Sequence, residues 1–245
     1  MSIIGDAISW LADGDHWRGS SSLPGIPALL GDHLQITAIS VAAGIALAVP
    51  LGLLLGHAHR GGGVITLLGN LLRAIPTLGL LILLTSPGAL GFSTLTSVVA
   101  LAVFAVPPLL TYTYTGMVGV DPDTVEAARG MGLSPLQVLT RVELPLALPL
   151  IAAGLRTAAL QVFATATLVA YVGGTTLGSI INLGNGSNDQ GEVFAGGIIV
   201  AVLALVADGL FGLLQAVVTP GPEWGTRLAR RRRRLAARAA TAAGR

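Results

Sequence analysis

The sequence predicts an all-α integral membrane protein with five transmembrane helices, and three observations predict it. Only 11% of the 245 residues are charged, whereas a soluble domain carries about 25% and needs it to coat its surface. The mean hydropathy is +0.78 and 53% of the residues are apolar. Stretches with no charge, or one, recur at lengths able to cross ~30 Å of hydrocarbon at about 1.5 Å per residue. Cysteine is absent, which removes disulfides, thiolate metal sites and cysteine nucleophiles. Lysine is absent too, and all 14 basic residues are arginine. A P-loop needs its lysine to reach the phosphates, so this chain holds no Walker-A ATPase.

Residues 1–33 are predicted to be an extracytoplasmic, interfacial segment. It lacks a basic leader and carries Asp6 early, unlike an ordinary signal peptide. Ile3, Ile4, Ala7, Ile8 and Leu11 fall at helical spacing beside Trp10, which suits an amphipathic helix on the membrane surface; a partly ordered tail is the other reading. Residues 20–27 have the composition of a loop. The transmembrane domain is predicted over 34–218, with spans at 34–56, 64–85, 91–114, 146–172 and 193–218. The second contains Arg73 and Pro76, the third Pro107 and Pro108, the fourth Arg156 and the fifth Asp208. Residues 57–63 and 86–91 read as turns, and 173–192 as a loop rich in glycine and asparagine. An arginine-rich tail occupies 219–245.

Five spans put the termini on opposite sides. With the C-terminus cytoplasmic, Arg60, Arg129, Arg141 and the eight tail arginines lie inside, and only Arg18 lies outside. The positive-inside rule selects this orientation, N-terminus out. Arg230 to Arg234 could bind nucleic acid, but directly after a span a run of arginines is better matched to anionic lipid headgroups.

The charges inside the chain gather between Asp121 and Glu143, in a loop expected over 120–145 on the cytoplasmic side. Asp121 can cap a helix with Pro122 at its first position. Gly132 can end that helix. Ser134 and Gln137 have the spacing of a capping box, with Pro135 at the first helical position. Pro145 is expected to close the second helix just before the fourth span. Two capped helices around a glycine suggest a rigid bracket, where a solvated loop would need no caps.

This stretch resembles the EAA loop of ABC-importer permeases. Glu126-Ala127-Ala128 is followed three residues later by Gly132, then after nine more by Val142, where the motif has isoleucine, and by Leu144-Pro145. The stretches HLQITAISVAAGIALAVPLGLLLG, AIPTLGLLILL and ELPLALPLIAAGLRTA are similar to other segments of these permeases, over about residues 32–220, and the set best matches osmoprotectant importers for glycine betaine, choline or carnitine. The chain departs from that pattern at Gly173-Gly174-Thr175-Thr176-Leu177-Gly178, where the family is richer in glycine, and at Arg73, where an uncharged polar residue is expected.

The resemblance implies the type I importer permease fold and a membrane-spanning subunit that hydrolyses no ATP itself. It implies no cofactor in this chain, with ATP and magnesium held by a partner ATPase. The implied partners are two ATPase subunits, a second permease chain, identical or homologous, and an extracytoplasmic substrate-binding protein; membrane lipids surround the complex and no nucleic acid is involved. It implies an inner-membrane location. Glu126, Ala127, Ala128, Gly132, Val142, Leu144 and Pro145 would couple to the ATPase, with Glu126 in polar contact, the two alanines allowing close approach, Gly132 at the bend and Leu144-Pro145 as the hinge to the membrane.

Arg156 and Asp208 each lie ten residues from the cytoplasmic end of their spans, roughly 15 Å deep. Equal depth and opposite sign predict a buried ion pair. Arg73, Pro76 and Thr77 are candidates for the translocation path; Arg73, without an evident partner, can also snorkel to the interface. His57 and His59 are weak metal-ligand candidates, and no metal site is expected. An importer for an amino acid such as methionine is the alternative within the family. Outside it stand an ion-coupled carrier using Asp208, which would not need a capped cytoplasmic bracket, and a membrane scaffold acting through the tail.

Overall fold

The computed structural model describes residues 2–19, 23–87 and 89–219, and among these the chain is helical with no strand. Two short helices come first, α1 (Ile3–Ala12) and α2 (Gly14–Arg18), capped by Ser2 and Asp13. The first long helix, α3 (Ile26–His57), starts from Gly25 with a proline in its first turn. The predicted boundary at residue 33 is therefore too late. Counting uncharged residues stops at Leu34, but Asp32 and His33 are accommodated within the helix. Thr175 Oγ1 donates to Asp32 Oδ2 at 2.7 Å, and His33 is buried with Nε2 3.1 Å from the Phe163 carbonyl.

The predicted second span is broken. It consists of α4 (Gly62–Ala74) and α5 (Thr77–Thr85), which meet at 75°. Pro76 disfavours helical backbone at the residue before it, and Ile75 is extended, φ −73° and ψ 123°. Next come α6 (Thr94–Val118), α7 (Pro122–Gly130) and α8 (Pro135–Val138). Pro107 and Pro108 are buried inside a continuous α6, as membrane helices tolerate when neighbours cover the freed carbonyls. From Pro135 the chain runs as one helical rod to Val172, through a π turn at Leu139–Glu143, α9 (Leu144–Ala166) and a 3-10 turn at Thr167–Val172. The expected glycine-rich loop at 173–192 contains a further helix, α10 (Gly178–Ser187), before α11 (Gln190–Val218). Its Gly184 and the neighbouring Gly196 let it press against α11: a Cβ on Gly196 would lie 2.8 Å from Ile181 Cγ1. The arginine-rich tail lies outside the described residues.

Helix α6 is the central strut, packed by α3, α9, α4 and α5. In lipid there is little hydrophobic force between helices, so close packing of small residues has to hold them. Helix α3 supplies such a stripe every fourth residue: Ser40, Gly44, Ala48, Gly52 and Gly56, all buried. A Cβ on Gly44 would fall 2.7 Å from Ala105 Cβ, and one on Gly52 would fall 2.8 Å from Thr113 Cβ. On its other side α6 sets Gly116 against Ala147, and Tyr112 against Gly154 of α9, where an added Cβ would sit 3.2 Å from the tyrosine ring.

Adding one methyl group therefore separates sites by position. Gly52→Ala is expected to destabilise the protein by about 1–3 kcal/mol through overpacking. Gly31→Ala, where a Cβ meets nothing within 4 Å, is expected to hold or slightly raise the melting temperature in detergent, because alanine is the better helix former.

Candidate functional site

The charged bracket is built from α7 and α8, and both ends of α7 and the start of α8 are tied down. Asp121 Oδ1 accepts from Asp123 N–H at 3.1 Å. The first helix ends with Gly132 at φ +84°, its N–H donating to Arg129 O at 2.9 Å while Leu133 N–H donates to Ala128 O at 3.3 Å. These paired bonds form a Schellman motif, which a glycine at this position favours. Ser134 closes a reciprocal capping box with Gln137: Ser134 N–H donates to Oε1 at 2.9 Å and Gln137 N–H donates to the hydroxyl at 3.4 Å. Val120, Val125, Ala128 and Val138 form a small core between the helices, against which Leu133 and Val142 pack.

This geometry sorts the motif residues. Glu126 and Ala127 face outward and are exposed. Ala128 is 3% exposed; three residues beyond Val125, it shares that inward face and holds α7 on α8 instead of offering itself to a partner. Gly132 is exposed at the bend. Val142 lies in the small core, and Leu144 is half-buried. The expected break at Pro145 is absent. Leu144 N–H bonds back to Leu139 O, five residues away, and the helix passes through Pro145. The wide π turn directly precedes the residue that lacks an N–H, so the chain absorbs the proline without ending. The bend lies at Gly132, and α8 is the first turn of the membrane rod.

Met131 and Leu136, 75% and 69% exposed, stand out on this bracket, and the motif does not contain them. Sequence alone does not single them out, because the insert holds other large apolar residues, such as Val125, Leu133 and Val138, that turn inward.

Where the rod enters the helix bundle, Glu143 is 1% exposed and His57, at the end of α3, lies against it with Nδ1 2.5 Å from Oε2. His57 is thus a partner for Glu143. Among the described residues no group of three His, Asp or Glu side chains is placed to hold a metal ion. Glu143 sits at a position the motif leaves open, but a carboxylate one residue before a membrane span must find a partner. Glu143 Oε1 is buried without a hydrogen bond, so the single bond to His57 carries the whole compensation.

Deeper in the bundle, Arg156 grips Asp208 with two hydrogen bonds of 2.7 Å, from Nε to Oδ1 and from Nη2 to Oδ2. Nη1 reaches Gln215 Oε1 at 3.5 Å. Asp208, Gly212 and Gln215 recur on one face of α11. The pair is not buried as expected: its side chains are 36% and 37% exposed, because α11 packs on α9 along one side only. Arg73 and Pro76 are exposed and Thr77 is half-buried, all at the α4–α5 bend, with Arg73 in the last turn of α4, where a cation suits the helix dipole.

Residues 48–219 match the family described as binding-protein-dependent transport system inner membrane component. The glycine betaine/carnitine/choline transport system permease OpuCB of Bacillus subtilis is 34% identical over 190 residues, 78% of this chain and 87% of the relative. The carnitine transport permease OpuCB of Listeria monocytogenes is 36% identical, over 77% of this chain and 85% of the relative. The osmoprotectant import permease OsmW of Salmonella typhimurium is 32% identical, over 80% and 92%. Among solved structures, the MetNI methionine ABC transporter in an inward-facing conformation superimposes with a TM-score of 0.68 at 21% identity, over 78% of this chain and 94% of that chain.

Two substitution sets probe this geometry. Glu143→Ala is expected to cost about 1.5–3 kcal/mol, the range for a hydrogen bond to a charged group, and His57→Ala as much or more, read as thermal stability in detergent. Reversing Arg156 or Asp208 alone should lower stability and expression, and Arg156→Asp combined with Asp208→Arg should recover part of both.

Proposed function

Because the chain belongs to the binding-protein-dependent transport system inner membrane component family, and is a non-catalytic, multi-pass permease subunit of an ABC importer with the type I fold, we propose that it carries a small osmoprotectant such as glycine betaine, choline or carnitine. Support for the solute comes from relatives at 32–36% identity over about three quarters of the chain, which are named for these compounds. The methionine transporter is similar at 21% identity, and that likeness speaks to the fold.

The observation that carries the coupling is the bracket. It presents Glu126, Ala127, Met131 and Leu136 outward and continues without interruption into α9. Members of this family work with an ATPase and a substrate-binding protein. On this reading the outward face of α7 and α8 docks in a groove of the ATPase, with Glu126 giving polar contact and Ala127, Met131 and Leu136 filling the apolar floor. Two such permease chains stand side by side, and closure of the ATPases on ATP draws the brackets together. The motion enters through α8, the π turn and α9. A swing between 1:99 and 99:1 requires about 5.5 kcal/mol of differential stabilisation, which slack in the joint would dissipate. The distribution of arginines supports an orientation with this face in the cytoplasm and α1, α2 and α10 outside. The bend at Arg73, Pro76 and Thr77 is a stretch of irregular backbone of the kind that lines a path in transporters.

The test is uptake into proteoliposomes holding the chain, its ATPase and its binding protein. ATP inside should drive accumulation of labelled glycine betaine, choline or carnitine, and not methionine. Ala127→Arg should cut uptake at least about tenfold, equivalent to about 1.4 kcal/mol or more, while the ATPase keeps its basal hydrolysis. Uptake that continues without ATPase and collapses with the proton gradient would instead favour a carrier.

A further inference from the structure

On the face opposite the bracket lies a cavity of about 530 Å³, within the range of small-molecule sites. The first two helices form one wall. Asp13 Oδ1 accepts from Asp15 N–H at 3.0 Å and starts α2, and His16 stacks on Trp10 with ring centres 3.9 Å apart while its Nδ1 lies 2.9 Å from Trp10 O. Helix α1 is held on α11, where Gly191 lies so close that an added Cβ would be 3.1 Å from Asp6 Cβ. The floor is apolar, made by Ile26 and Leu29 of α3 and by Ile180 and Leu183 of α10. Three carboxylates line the rest, Asp15, Asp189 and Glu192, and His16 is the basic side chain among the lining residues.

Glu192 is the informative one. It stands in the first turn of α11, three residues after the cap Asp189, where a glutamate ordinarily reaches back to the cap's N–H. Here that N–H is taken: Asp189 N–H donates to Gly184 O at 2.9 Å. Asp189 Oδ1 accepts from Glu192 N–H at 3.1 Å, but the Glu192 carboxylate makes no hydrogen bond to a described residue although the residue is 8% exposed. A nearly buried carboxylate that caps nothing and lines a cavity leaves its acceptors turned to whatever occupies that cavity. The three carboxylates do not converge as metal ligands do. They ring an apolar hollow of molecular size, which fits a positive charge carried on a carbon-rich body.

We propose that this cavity binds a small organic cation with an alkylated ammonium head, its methyl or methylene groups on the apolar floor and its charge against Glu192, Asp189 and Asp15. Most of the wall and floor comes from residues 10–29, upstream of the segment that matches the family. The proposal is therefore independent of which solute is transported.

The experiment uses the full chain assembled with its ATPase in nanodiscs, without nucleotide or binding protein. Choline is titrated calorimetrically beside its uncharged carbon isostere, the alcohol with a tert-butyl group in place of trimethylammonium. Choline is expected to bind at least about tenfold more tightly than the isostere, and Glu192→Gln to remove about that factor while leaving the isostere unchanged. Asp15→Asn, at an exposed position on the short α2, gives a smaller loss of the same sign and decides the matter if Glu192→Gln fails to assemble. Equal binding of choline and isostere, no binding of either, wild-type affinity in both variants, or displacement of choline by equimolar sodium or potassium would each overturn the proposal. A complex that binds choline this way but accumulates no osmoprotectant leaves the site standing and rejects the transport reading.

Discussion

The junction between the charged bracket and the membrane rod is held by the contact between His57 and Glu143. The carboxylate lies at the junction where the bracket becomes the rod, and the imidazole ends the first long helix. One hydrogen bond therefore ties α3 to the root of α9. Helix α6 lies against both, held to α3 by the glycine and alanine stripe and to α9 by Gly116 and Gly154. A displacement of the bracket is thus shared by three packed helices. The energetic reason for the pairing is simple: a carboxylate at this depth without a partner would be expensive.

Much of this was legible in the sequence. The caps at Asp121 and Ser134, the bend at Gly132 and the apolar lengths of the spans follow from local chemistry, which acts over three or four residues and is written contiguously. The features that were not legible depend on packing between elements, which neighbouring residues in the chain do not reveal. The meeting of His57 with Glu143 spans 86 positions. The inward turn of Ala128 is set by packing on Val138, and helix α10 by its contact with α11 across Gly196. Pro145 misled for another reason. Proline ends a helix only if the preceding carbonyls have nowhere to go, and a π turn gives them somewhere. The small-residue stripe on α3 was present in the sequence as a four-residue period, masked by the hydrophobicity of everything around it.

The ion pair of Arg156 and Asp208 shows what one chain leaves open. Its geometry is bidentate and complete, yet more than a third of each side chain is uncovered, while elsewhere around its circumference α11 exposes Leu205, Leu210, Leu213 and Val217. Apolar residues on that helix are at ease in lipid. A pair of charges is not, and the low dielectric that strengthens their attraction also penalises any face turned to hydrocarbon. The side of α11 bearing Asp208 is accordingly the side on which protein or water is expected, and the leucine-rich side the one that meets acyl chains.

The π turn at Leu139–Glu143 has a geometric corollary. Five residues there close a loop that an ordinary helix closes with four, so the segment carries one surplus residue of winding. At 3.6 residues per turn, that surplus is worth about 100° of azimuth. The compass bearing of Glu126 and Ala127 around the rod is therefore indexed by the register of a single carbonyl. Deleting one residue here would leave every cap intact and point the outward face of α7 toward another quadrant.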